Sequence, residues 1–247
     1  MVLSNWSEIR AVLGRNLTTV QERIAQAARR VGRAPEEISI VCVTKYVVPD
    51  VARCLVELGY NVLGESRPQV LWRKAEACAG LPVRWHLVGP LQRNKAKKTV
   101  PLVELIHSVD SLALLETLNA IAAQRGQPVD VLLEVNISGE QAKHGFSPQE
   151  MPAVVAQLAN YPHVKVQGLM GMAGLEGGLS AARQQFALLR RLRDELAPLC
   201  PAGNELRELS MGMSGDFEVA VEEGATVVRL GSILYEGLPS ECFETGG

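Results

Sequence analysis

Short apolar, β-branched runs alternate with amphipathic stretches along most of the chain. The runs fall at 38–43, 61–63, 83–88, 105–109, 129–135, 164–170, 206–211 and 226–230, and each has the length of a strand. Between them lie stretches with helical spacing at 49–58, 67–79, 92–100, 111–125, 148–160, 179–197 and 215–223. Ahead of them all, Trp6, Ile9, Leu13, Leu17, Val20 and Ile24 recur every three or four residues with Arg10, Arg15, Glu22 and Arg23 between, predicting an amphipathic helix over about 4–31. Strands that alternate with helices form a parallel sheet through right-handed crossovers. Runs that are apolar almost throughout suit a sheet covered on both faces. Eight is the number that closes a barrel, so the expectation is a single (β/α)8 TIM-type barrel with an extra N-terminal helix. An open doubly wound sheet is the competing arrangement. No Pro/Gly-rich hinge divides the chain, which reads as one domain over 1–247 with a loosely held tail from about 238.

Composition narrows the field. A net charge of −2 with mixed signs along the chain argues against a nucleic-acid-binding face, and Arg93, Lys95, Lys97 and Lys98 read as a solvated helix face. No apolar run reaches the ~20 residues of a membrane span. Charges at Glu8, Arg10 and Arg15 speak against a secretory signal. The five cysteines (Cys42, Cys54, Cys78, Cys200 and Cys242) are odd in number and scattered, which points to a reducing, cytoplasmic setting.

In such a barrel the working residues sit at the C-terminal ends of the strands. Strand one ends in Thr44-Lys45, strand two in Gly64-Glu65-Ser66, and strand three carries His86 and Gly89. Glu134 and Asn136 end strand five, followed by Lys143-His144-Gly145. Strand six carries Gly168-Leu169-Met170, strand seven Ser210 through Asp216, and strand eight Arg229, Gly231 and Ser232. Lys45 either snorkels outward or points into the mouth, where a primary amine would be free for Schiff-base chemistry. Ser214 stands where a helix N-cap belongs. A helix start flanked by glycines is either an ordinary cap or an anion site, and the neighbouring Gly231-Ser232 turn resembles the phosphate cup built after strands seven and eight of many barrels. Alternation puts Arg229 on the same side as Gly231, facing the ring of a ligand held there; the alternative is a salt bridge to Glu218, Glu222 or Glu223.

Taken in order, Val43-Thr44-Lys45, Gly64-Glu65-Ser66, His86-Leu-Val-Gly-Pro-Leu-Gln-Arg-Asn-Lys95, Gly168-Leu-Met170, Ser210-Met-Gly-Met-Ser-Gly-Asp216 and Arg229-Leu-Gly231 resemble the pyridoxal phosphate homeostasis protein family over about residues 4–237. The resemblance implies the fold of the N-terminal barrel of alanine racemase and pyridoxal 5'-phosphate (PLP) as cofactor. It makes Lys45 the Schiff-base lysine, places Ser214, Gly231 and Ser232 at the phosphate with Ser210 close by, and sets Arg229 against the pyridine nitrogen. Met170 and Ser66 complete the expected set. Ser66 departs from the family's asparagine. The usual second lysine near Lys45 is also missing here, leaving Lys143 as the nearest candidate.

A permanent cation beside the ring disfavours a protonated pyridine nitrogen, and Lys45 is the one base the sequence offers. The expectation is therefore a PLP carrier and buffer with no catalytic residues, serving PLP-dependent apo-enzymes as a monomer or weak dimer. The alternative is a PLP-dependent amino-acid racemase. His86, His107, His144 and His163 lack metal-site spacing, so no metal is expected.

Overall fold

A computed structural model describes residues 5–140, 144–174 and 176–244. Eight parallel strands close into a barrel in chain order: β1 Ser39–Val43, β2 Val62–Glu65, β3 Arg84–Leu87, β4 Leu105–Val109, β5 Val129–Val135, β6 Val164–Gly171, β7 Glu208–Ser210 and β8 Val227–Leu230. The (β/α)8 expectation holds, and the open sheet is excluded because β8 pairs with β1.

Seven helices follow the first seven strands: α2 Pro49–Glu57, α3 Pro68–Ala77, α4 Arg93–Thr99, α5 Leu112–Arg125, α6 Met151–Gln157, α7 Gly178–Leu196 and α8 Phe217–Glu222. Pro49 and Pro68 open α2 and α3, where a missing N–H costs nothing. Ser111 caps α5, and Gly126 ends it with φ 66°. Among the described residues no α-helix follows β8. Its place is taken by α1, Trp6–Arg30, which buries Ile9, Leu13, Leu17, Val20 and Ile24 between α8 and α2. Arg23 holds Glu218 of α8 at 3.1 and 2.9 Å, and Arg10 reaches Glu57 of α2 at 3.1 Å. The N-terminal helix is thus the barrel's eighth outer helix.

Two expectations are corrected. The apolar run 206–211 predicts a longer strand seven, but Leu206 has φ 38°, outside the extended region, and Gly212 turns the chain at φ 93°. The tail is also held farther than its composition suggests. Phe243 bridges Val47, Cys242 is fully buried and its carbonyl accepts from the Val48 N–H, and the Glu244 N–H donates to Tyr46 O at 2.8 Å.

Most of the apolar core lies between strands and helices. The lumen holds a separate small cluster of Leu105, Leu132 and Met170. Backbones crowd tightly where β6 meets β7: a Cβ on Gly168 would stand 2.0 Å from Glu208 O.

Candidate functional site

The mouth is built where the last strands meet the first. Cys42 of β1 lies opposite Leu230 of β8, so the next residues, Val43 and Gly231, come together, and Val43 O would be 3.5 Å from a Cβ on Gly231. Lys45 therefore leaves the barrel beside the turn that follows β8. Its side chain is exposed, with Nζ 4.6 Å from the centre of the Tyr46 ring. A cation on the face of an aromatic ring is a weak exposed contact, so little resists its rotation.

The two glycine-containing turns do converge. Ser214 Oγ lies 3.4 Å from the backbone N–H groups of both Gly231 and Ile233, which donate to it. At that length the bonds are weak, and an anionic acceptor would compete well for the same donors. Ser214 is not the N-cap of α8. Gly212 and Gly215 lengthen the turn, and Asp216 occupies the cap, its Oδ1 accepting from the Met213 N–H at 2.6 Å. Because α8 has only six residues, the donors of the cup come from the turn after β8 rather than from a long helix. Ser232 is exposed beside Gly231, and Ser66 is half-buried at the end of β2, its carbonyl against Gly89. Met170 is buried in the lumen, paired in register with Ser210.

Arg229 is buried, its Nη1 donating to Ser210 Oγ at 2.6 Å and its Nη2 to Gly171 O at 3.1 Å. The alternative partners are taken: Glu218 by Arg23, Glu222 by Arg30 and Arg183, and Glu223 by Arg183 and Arg190. Burial lowers the Arg229 pKa to about 10, against the opposing pull of Glu134 and Asp216. The guanidinium still carries its charge at neutral pH.

Sequence reasoning missed three groups. Ser210 Oγ also shares a 2.8 Å hydrogen bond with His107 Nδ1, and His107 Nε2 shares another, 2.9 Å long, with His86 Nδ1. Burial pushes His86 down to about 4 and His107 well below its ordinary value, so both rings are neutral. Each of His86, His107, Ser210 and Arg229 is the third residue of its strand, and that shared place in four apolar runs is the signal that could have found the histidines. Glu134, noted only as a strand end, is 5% exposed; burial first, then Asp110, raises it to about 7. The third is Lys74, fully buried and paired with Glu65 Oε1 at 2.7 Å. Lys143 lies outside the described residues.

Residues 16–239 match the alanine racemase N-terminal domain family, the class to which this closed barrel belongs. The chain belongs to the pyridoxal phosphate homeostasis proteins within that class. The protein of that name from Aquifex aeolicus is 40% identical over 219 residues, covering 89% of this chain and 95% of its own. PipY of Synechococcus elongatus, solved with PLP bound, is 35% identical with a TM-score of 0.76, covering 87% of this chain and 99% of that one. Alanine racemase of Clostridium difficile shares the fold at 19% identity and TM-score 0.72, with 95% of this chain matching 59% of that chain.

Proposed function

We propose that this chain binds PLP at the barrel mouth and serves PLP homeostasis as a carrier and buffer with little or no turnover. The observation that carries the reading is the meeting of Ser214, the Gly231 and Ile233 amides and the buried Arg229 around one opening. The donors suit the cofactor's parts. Ser214, Ser232 and the Gly231 turn would take the phosphate, and Arg229, steadied by Ser210, would donate to the pyridine nitrogen. Met170 and Ser66 would border the ring. Lys45, swung off Tyr46, would hold the aldehyde carbon. When bound, PLP supplies an electrophilic aldehyde and an electron-withdrawing ring. PipY, with its bound PLP, and the named A. aeolicus relative support the assignment.

Little turnover follows from the charge at Arg229. A guanidinium facing the ring opposes protonation of its nitrogen and so weakens the ring as an electron sink. The carrier would act in the cytoplasm as a monomer or weak dimer and pass PLP to apo-enzymes. Among the described residues no helix is long and apolar enough to cross a membrane, which fits that setting. The racemase alternative has one feature in its favour: Glu134, poised near neutrality close to Arg229, is a second group able to exchange a proton.

Borohydride treatment of the PLP-loaded protein should fix the label on the Lys45 peptide, and Lys45→Ala should abolish it. A Lys45→Ala variant that still holds PLP covalently would refute the assignment. L-Alanine or L-serine incubated at high protein concentration should stay optically pure, whereas steady formation of the D-enantiomer would establish the racemase.

A further inference from the structure

We infer that Lys74, buried on α3, is a positioning residue for Lys45: together with Glu65 it clamps Thr44, the residue that carries Lys45 into the mouth. The inference rests on the reading that Lys45 takes the cofactor.

Every polar group of Thr44 is fixed. Its N–H donates to Gly64 O at 2.9 Å, and its hydroxyl donates to Glu65 Oε1 at 2.7 Å. Its carbonyl accepts from Lys74 Nζ and from the Val47 N–H, the latter at 3.0 Å. Lys74 Nζ also donates to Glu65 Oε1, so one carboxylate oxygen gathers both the lysine and the threonine. On the far side of Lys45 the Tyr46 carbonyl and the Val48 N–H are held by Glu244 and Cys242. Between two fixed ends, the Lys45 side chain is the part left free to turn.

Stability alone accounts poorly for this arrangement. Glu65 Oε2 is buried with no hydrogen-bond partner among the described residues. A buried ion pair with an unsatisfied oxygen is no more stabilising than an apolar pair of the same volume. An apolar pair, however, would leave the Thr44 hydroxyl without its acceptor and its carbonyl with only the Val47 N–H. The clamp matters because the Lys45 nitrogen must bond to the aldehyde carbon, releasing one water, while the phosphate cup fixes the other end of the ligand. Misplacing the tether by about 1 Å costs such a reaction on the order of a hundredfold.

The test compares Lys74→Met with the double variant Lys74→Met/Glu65→Gln. The single variant strands a buried carboxylate and should lower the thermal midpoint. The double variant removes that charge, keeps an acceptor for Thr44 Oγ1 and should recover most of the midpoint. A positioning role predicts two defects that persist in the double variant. In cofactor-free protein the Val47 amide, which donates to the carbonyl Lys74 holds, should exchange faster relative to the amides of β5. Covalent attachment of PLP at Lys45 should slow roughly tenfold, the worth of one charge-assisted hydrogen bond. Wild-type Val47 protection and attachment rate in the double variant would overturn the inference, as would equal loss of protection at Val47 and across β5. If the wild type itself takes no label on Lys45, the assigned cofactor site fails, and Val47 exchange alone then decides whether Lys74 fixes the loop.

Discussion

Replacing Glu134 by glutamine should make the cofactor-free protein more stable, and the gain should depend on pH in a way fixed by burial. Glu134 is 5% exposed, and its pKa rises from 4.5 to about 7, by burial first and by Asp110 second. Below about pH 4.5 both folded and unfolded chains carry the proton, and the carboxyl imposes no penalty. As pH rises toward 7 the unfolded chain gives up the proton first, so the folded state binds more protons and stability falls. Above pH 7 the loss is complete. A gap of that width is worth about 3 kcal/mol. Glutamine, of the same shape and never ionised, escapes it.

The assay is urea unfolding of wild type and Glu134→Gln from pH 4 to 8. The difference should be near zero at pH 4 and grow to about 3 kcal/mol by pH 8, which for a chain of this size is roughly 10 °C in melting temperature. His86 works in the opposite sense in both proteins. Its depressed pKa of about 4 contributes stability that is present above pH 6.5 and lost as pH falls toward 4. His107, also depressed by burial, adds to this trend, so between pH 4.5 and 6.5 the wild-type profile should climb less steeply than the variant's. A difference that stays flat with pH, or a wild type more stable at pH 8, would refute a Glu134 held neutral by burial.

Other outcomes test the site and the frame. Ser214→Ala should weaken PLP roughly tenfold while leaving the affinity for pyridoxal, which lacks the phosphate, nearly unchanged; equal loss for both ligands would move the phosphate elsewhere. Arg229→Gln should still accept label on Lys45 but hold PLP roughly tenfold more weakly, and unchanged affinity would remove the guanidinium from the ring. Gly168→Ala should be destabilised by about 3 kcal/mol, because its Cβ would stand 2.0 Å from the Glu208 carbonyl; an unaltered unfolding midpoint would show that β6 and β7 can part at no cost.

The barrel is legible because parallel strands buried on both faces leave near-continuous apolar runs, and the 105–109 and 129–135 runs match β4 and β5 end to end. Strand seven is shorter than its run because apolarity says nothing of backbone hand: Leu206 is as buried as Leu209, yet its φ of 38° keeps it out of the sheet. The cup residues are legible as glycine-flanked strand ends, but the cap lies two residues beyond Ser214, because Ser214 and Asp216 are both good capping types. Lys74 escapes the rule that helical lysines face water. The counter-signal is its place on the stripe of Pro68 and Leu71, with Glu65 ending the preceding strand. The resting place of the Lys45 amine against the Tyr46 ring is not legible, because a weak exposed contact leaves no pattern in the sequence.

On the proposed function, one charge in the lumen bears on anion binding and on electron withdrawal together. Arg229 keeps its charge although buried, while His86 and His107 are neutral and Glu134 is about half protonated near pH 7. Arg229 thus sets a fixed positive charge at the inner wall of the mouth, which favours a phosphate dianion arriving from solvent. That charge also acts on the ring nitrogen of any PLP seated there, where a proton would be one more positive charge in a low-dielectric space. An acidic partner in place of Arg229 would reverse the second effect and weaken the first. On the proposed function, a site that holds the cofactor firmly while sparing its chemistry is one that can later give it up intact.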